Sequence, residues 1–129
     1  MAQKEALLPR KLLIVDDSKV SRMRIRAFFA THCPQWVIQE AASGDEAVGM
    51  AAKDQPNFVT MDVNMPGMSG FETAQLILAR NADIRVVMLT ANIQESCREV
   101  AASLRLNFVA KPVTEVSLQQ ALDYLLADQ

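Results

Sequence analysis

Four short apolar runs in this chain end in residues able to handle a phosphoryl group. Leu12-Leu13-Ile14-Val15 leads to Asp16 and Asp17, and Phe58-Val59-Thr60-Met61 leads to Asp62. Val86-Val87-Met88-Leu89 leads to Thr90, and Phe108-Val109-Ala110 to Lys111 and Pro112. Carboxylates with ordinary pKa values of about 4 repel one another in a shared pocket, and a hard divalent cation is the usual remedy. Mg²⁺ takes oxygen ligands, needs only one or two carboxylates, and completes its shell with water and phosphate oxygens. A carboxylate beside such an ion can attack a phosphoryl group and hold it as an acyl phosphate. A Lys and a hydroxyl donor supply the remaining charge neutralisation and positioning. The set fits phosphorylation of an aspartate.

For these residues to meet, the runs must be strands. Apolar runs of this length, bounded by turn or helix-start signals, read as buried strands of a parallel sheet. Their carboxyl ends then share one edge, where ligands bind in such sheets. One more strand, the second in chain order at about Val37 to Ala41, alternates more and is expected at an edge. Helices are expected to begin near Ser18, Ser43, Ser69, Asn92 and Thr114, with capping pairs Ser43 with Glu46, Ser69 with Glu72 and, more loosely, Asn92 with Glu95. The expected apolar faces are Val20, Met23 and Ala27; Ala47 and Ala51; Phe71, Ala74 and Ile77; Cys97, Val100, Ala101 and Leu104; and Leu118, Leu122 and Leu125. Strand and helix thus alternate throughout, which predicts an α/β, doubly wound sheet with helices on both faces and right-handed crossovers.

With LLIVDDS at 12–18, MDVNMPGMSG at 61–70, LTA at 89–91 and FVAKP at 108–112, the chain resembles a receiver domain of the two-component response regulators, in the stand-alone chemotaxis-type form. The resemblance runs from Lys11 to about Ala127 and implies a flavodoxin-like five-stranded parallel sheet of order 2-1-3-4-5 with five helices. It implies that Asp62 is the phosphoacceptor and that Asp16, Asp17, Asp62 and the backbone carbonyl of Asn64 bind Mg²⁺. Thr90, Ala91 and Lys111 would contact the phosphoryl oxygens, Thr90 and Phe108 would form the switch, and the Lys111–Pro112 bond would be cis. A histidine kinase or histidine phosphotransfer protein would supply the phosphoryl group, and a separate protein target would read the switch. Asn64 and Asn92 occupy positions that influence acyl-phosphate lifetime in this family.

Every one of these residues also has a simpler role open to it. Asp16, Asp17 and Ser18 could cap the next helix, although a cap does not need two acids. Asp62 could end a strand before the turn Met65-Pro66-Gly67, Lys111 could be solvated, and Thr90 could be a β-former whose hydroxyl caps a helix.

The chain has 129 residues, of which 50% are hydrophobic and 22% charged, enough for one core and too few for a second. Residues 1–10 read as an amino-terminal extension and 11–127 as the receiver domain. Only Asp128 and Gln129 follow, so no output domain is expected. A net charge of −2 gives no general reason to expect binding to nucleic acid or a membrane surface. Cys33 and Cys97 have no metal-ligand spacing and read as reduced thiols of a cytoplasmic protein. No apolar run is long enough to span a bilayer, and the first residues do not form a signal peptide. His32 reads as a surface loop residue in THCPQW.

Several residues depart from the commoner family pattern. Phe108 replaces Tyr at the switch position, which removes a hydroxyl, and a Phe there could equally be ordinary core. Val113 replaces a frequent Phe, and the helix before the fifth strand lacks Gly-Ala, so it is expected to terminate through Asn107. Lys19, Arg22, Arg24 and Arg26 make the first helix basic, and positions 19, 22 and 26 share a face. That face could be merely solvated or could dock an acidic phosphodonor.

Two other functions remain open from the residues alone. A phosphohydrolase of the haloacid-dehalogenase type also uses an Asp nucleophile, Mg²⁺, Thr and Lys, but wants D-x-D on its first strand. A phosphate-independent scaffold could keep the fold without the switch.

Overall fold

The computed structural model describes residues 9–127. Residues 1–8 of the expected amino-terminal extension, with Asp128 and Gln129, lie outside the described residues. In chain order the elements are β1 (Lys11–Val15), α1 (Lys19–His32), β2 (Val37–Ala41), α2 (Gly44–Asp54), β3 (Phe58–Met61), α3 (Gly70–Arg80), β4 (Arg85–Thr90), α4 (Glu95–Ser103), β5 (Asn107–Ala110) and α5 (Glu115–Leu126). The strands form one sheet of order β2-β1-β3-β4-β5, parallel throughout.

Continuous apolar runs are required because the central strands are covered on both faces. Successive side chains point to opposite sides: Leu12, Ile14, Val87 and Leu89 join one core with Ile25, Phe28 and Phe29 of α1 and Leu118, Leu122 and Leu125 of α5. Leu13, Val15, Val59, Met61, Val86 and Met88 join the other, with Ala47, Ala51, Ala74, Ile77 and Ala101 from α2, α3 and α4. In the first core Trp36 stacks on Phe29, and the Phe58 ring packs at a tilt against Trp36. β2 lies at the edge, as its alternation predicts.

Several local expectations are corrected. The buried face of α1 is Ile25, Phe28 and Phe29, whereas Val20, Met23 and Ala27 lie outside it, with Val20 and Met23 well exposed. Two stripes on this helix satisfy an apolar template, and the larger side chains, with more area to bury, take the core side. The fourth helix starts at Glu95 with Gln94 as its cap, and Gln94 makes no side-chain capping bond. Asn92 instead accepts from the Gln94 N–H and donates to Asn64, so the Asn92–Glu95 pair does not form. That helix closes through Arg105 at φ 58°, with Leu106 N–H donating to Ala101 and Arg105 N–H to Ala102, while Asn107 belongs to β5.

The Ser43 and Ser69 caps form, each accepting from the backbone N–H of its Glu partner. Thr114 makes a reciprocal capping box with Ser117. His32 ends α1 rather than lying in the loop, and pairs with Glu115 at 3.2 Å. Among the described residues no helix is long and apolar enough to cross a membrane.

Candidate functional site

The register decides which strand ends meet. Val15 pairs with Met61, so Asp16 and Asp62 leave adjacent strands side by side, and Thr90 pairs with Ala110, so Lys111 emerges beside it. Asp62 N–H donates to Val15 and Lys111 N–H donates to Thr90, which extends each pairing into the site. Oxygen atoms of Asp16, Asp17 and Asp62 lie within 4.8 Å of one another. The three carboxylates named from sequence therefore share one pocket with Lys111, and Thr90 lines it.

Two glycines make the β3–α3 connection possible. Gly67 has φ 79°, in the left-handed region that side chains disfavour. Gly70 permits the close approach of α3: a Cβ there would lie 1.9 Å from the Asp62 carbonyl oxygen. The run Met65-Pro66-Gly67-Met68-Ser69-Gly70 is thus the turn that presses a helix end against the central aspartate.

Asp16 is buried and thoroughly tied. Ser18 N–H donates to its Oδ1 at 2.9 Å, Lys111 Nζ to its Oδ2 at 2.6 Å, and Arg22 to its carbonyl at 2.8 Å. Lys111 also lies 3.6 Å from Asp62 Oδ2 and donates to Ser21 Oγ at 3.2 Å. Burial pushes the Asp62 carboxyl above its ordinary pKa, and the Asp16 charge pushes the same way. The Thr90 hydroxyl, the Lys111 charge and the Asn64 N–H act against that rise. A desolvated carboxyl beside like charge is a group held ready for a cation or a reaction.

The remaining sequence candidates surround this centre. Thr90 is buried, its Oγ1 accepting from Asn92 N–H, and Ala91 is exposed beside it. Asn92 donates to Asn64 Oδ1 across the pocket rim. Phe108 is half-buried under the Arg98 guanidinium, which lies 5.2 Å from the ring centre. The Lys111–Pro112 bond is cis. Of the basic stripe, Arg22 and Arg26 both bind Glu40 of β2, while Lys19 and Arg24 are exposed. The hydrogen bond from Arg26, with help from Arg22, holds the Glu40 carboxyl below its usual range despite partial burial.

Sequence reasoning missed Ser21 and Glu40. Their only signals were that Ser21 sits one turn after Ser18 and that Glu40 is an acid on an edge strand opposite a basic helix.

The donor set is suited to a hard cation. Asp17 and Asp62 offer oxygen ligands in a clustered site, no sulfur or imidazole nitrogen among the described residues belongs to the cluster, and the burial and like charge that raise the Asp62 pKa are what a divalent ion offsets.

Comparison with known proteins agrees with this geometry. The family description of the response regulator receiver domain matches residues 12–123. A protein-glutamate methylesterase/protein-glutamine glutaminase of Geobacillus kaustophilus is 39% identical over 111 residues, which cover 84% of this chain and 32% of that protein. The chain thus spans about a third of the length of the curated relatives of that kind. The protein CcdB of Bacillus subtilis is 31% identical, with 90% of this chain and 97% of CcdB covered. Among solved structures, the CheX-CheY-BeF3-Mg+2 complex from Borrelia burgdorferi includes a chain that superposes with a TM-score of 0.83 at 25% identity, covering 92% of this chain and 90% of that one. Joined to the strand-end carboxylates, the threonine and the lysine, these matches mean that the chain belongs to the response regulator receiver domain family of phosphoacceptor signalling domains.

Proposed function

We propose that this chain takes a phosphoryl group from a histidine kinase or histidine phosphotransfer protein onto Asp62 and signals to a protein target by a conformational change. The observation that carries this reading is the convergence of Asp16, Asp17, Asp62, Thr90 and Lys111 at one sheet edge. An Asp62 oxygen forms a bond to phosphorus as the donor's phosphorus–nitrogen bond breaks. The imidazole nitrogen keeps the electron pair and the product is an aspartyl phosphate.

Asp17, Asp62 and the Asn64 carbonyl, with Asp16 beside them, would hold Mg²⁺. When bound, the ion offsets the charge of the carboxylates and of the phosphoryl oxygens. Thr90, the Ala91 N–H and Lys111 bind the remaining phosphoryl oxygens. The added charge draws the Thr90 hydroxyl and the Lys111 ammonium inward, and Phe108 turns into the space released. A Phe needs no hydroxyl partner when buried, so the ring still responds.

The exposed part of α1, with Lys19 and Arg24 beside Val20 and Met23, serves as the docking face for the phosphodonor. Arg22 and Arg26 support it through Glu40. Residues 11–127 act as a receiver unit preceded by an extension, and the reduced thiols suit the cytoplasm.

The test is phosphorylation by a small-molecule phosphodonor with Mg²⁺, followed by mass spectrometry. One alkali-labile phosphoryl group on Asp62 is expected, and Asp62→Asn should carry none. The same modification in Asp62→Asn would refute the assignment.

A further inference from the structure

We infer that Ser21, on the first turn of α1, is a positioning residue for Lys111, fixing the direction in which the ammonium presents a proton to the group on Asp62. The inference rests on the phosphoacceptor reading and names a residue to which that reading gives no role. A Lys ammonium carries three N–H donors in fixed tetrahedral directions. Here the side chain is mostly enclosed, at 14% exposure, so water cannot freely satisfy those donors. Asp16 Oδ2 takes one at 2.6 Å and Ser21 Oγ takes a second at 3.2 Å. Asp62 Oδ2, at 3.6 Å, is the remaining anionic neighbour among the described residues. With two directions fixed on the α1 side, the third is aimed at Asp62, where phosphoryl oxygens arrive.

Ser21 can do this because of its place in the helix. Its own N–H donates to the Ser18 cap, so the first turn is anchored, and Ser18 in turn donates its N–H to Asp16. Cap, buried acid and lysine are therefore linked through α1. Nothing about helix formation asks for Ser here, since Ala is the better helix former. Ser21→Ala should thus fold at least as well as wild type while removing the second fixed direction of the ammonium.

The test has a readout that needs neither metal nor phosphodonor. In the metal-free protein, ¹⁵N-detected NMR should show a slowly exchanging Lys111 ammonium that becomes fast-exchanging in Ser21→Ala and recovers in Ser21→Thr. With a small-molecule phosphodonor and saturating Mg²⁺, Ser21→Ala should slow Asp62 phosphorylation by about tenfold, the scale of a charge-assisted hydrogen bond. The Thr variant should restore the rate, and Mg²⁺ titration should be unchanged. In a Lys111→Met background, Ser21→Ala should change the rate no further.

An unchanged ammonium signal in Ser21→Ala, or a second full loss of rate in the Lys111→Met background, overturns the positioning role. Modification of Asp62→Asn would instead sink the phosphoacceptor reading. Wild-type phosphorylation on Asp62 with an unaffected Ser21→Ala would sink only the positioning role.

Discussion

On one side of the pocket β1 runs into α1, and on the other β4 runs into α4 and β5. α1 starts from a cap whose hydroxyl is bonded, buries Ile25, Phe28 and Phe29, and is bound to β2 by two arginines sharing Glu40. Each large buried side chain contributes about 1.5–3 kcal/mol. α4 has no side-chain bond at its cap, buries only Ala101, exposes Val100, and closes on a non-glycine residue in the left-handed region. Asp16, on the first side, is held at four atoms, whereas Phe108, on the second, is half-buried beneath one guanidinium. Chemistry needs fixed groups and switching needs a wall with little to lose, so the difference divides the two tasks between opposite sides of one site.

The largest effect is expected between the two sides, where α3 presses on the Asp62 backbone. Gly70→Ala would drive a methyl group into the Asp62 carbonyl, a clash with backbone that no rotamer relieves. It should cost about 3 kcal/mol in urea denaturation, near the upper end for overpacking. Gly49→Ala is the control, because nothing lies within 4 Å of where its methyl group would sit and Ala favours a helix. If the two variants unfold at the same urea concentration, the close approach of α3 to Asp62 is not a constraint.

Amide exchange tests the comparison directly. Amides of α4 should open with about 2 kcal/mol less free energy than those of the buried turns of α1, roughly thirtyfold in protection. Beryllofluoride with Mg²⁺ should narrow the gap from the α4 side. Equal protection in both helices would remove the distinction between the walls.

How much of this was legible in the sequence follows from the kind of signal each part left. The apolar runs and their closing polar residues were sufficient for the central strands and the shared pocket, because burial on both faces writes itself into uninterrupted hydrophobic sequence, while the sheet order came only from the family resemblance. The orientation of α1 was not legible. Arg22 and Arg26 turn toward Glu40, a partner on another strand, and a template that counts only apolar residues cannot see that contact. The start of α4 was misplaced because Asn92 prefers a local turn and a bond to Asn64 over capping. Its end was misplaced because Arg105 takes a conformation that Arg rarely adopts.

A smaller effect should come from Asp62 itself. Its native carboxyl is harder to ionise than in the unfolded chain, chiefly through burial. That contribution to stability is fully present below the unfolded value of about 3.9 and is lost as pH rises through the raised native pKa. Asp62→Asn should therefore be more stable than wild type at pH 7 without metal, on the order of 1 kcal/mol. The advantage should vanish near pH 3. Mg²⁺ should stabilise wild type and leave the variant unchanged. Thermal melts of both proteins at pH 7 with and without Mg²⁺ and at pH 3 check it, and an advantage that persists at pH 3 would mean that ionisation is not its origin.

The smallest effects concern the loose wall, where the sequence leaves stability unused. Gln94 stands at the cap of α4 with its side chain making no capping bond, and Ser there could accept from the first-turn N–H groups. Arg105 holds φ 58° at the other end of the helix, where Gly would adopt the same conformation without a Cβ conflict. Gln94→Ser and Arg105→Gly should each stabilise the protein by about 0.5–1 kcal/mol, read from urea midpoints. Neither residue belongs to the carboxylate pocket, so phosphorylation rates should hold. If the yielding of α4 is what transmits the switch, tightening both ends should shrink the change in α4 amide protection produced by beryllofluoride with Mg²⁺. A double variant that is more stable yet responds as fully as wild type would show that the signal leaves the pocket by another route.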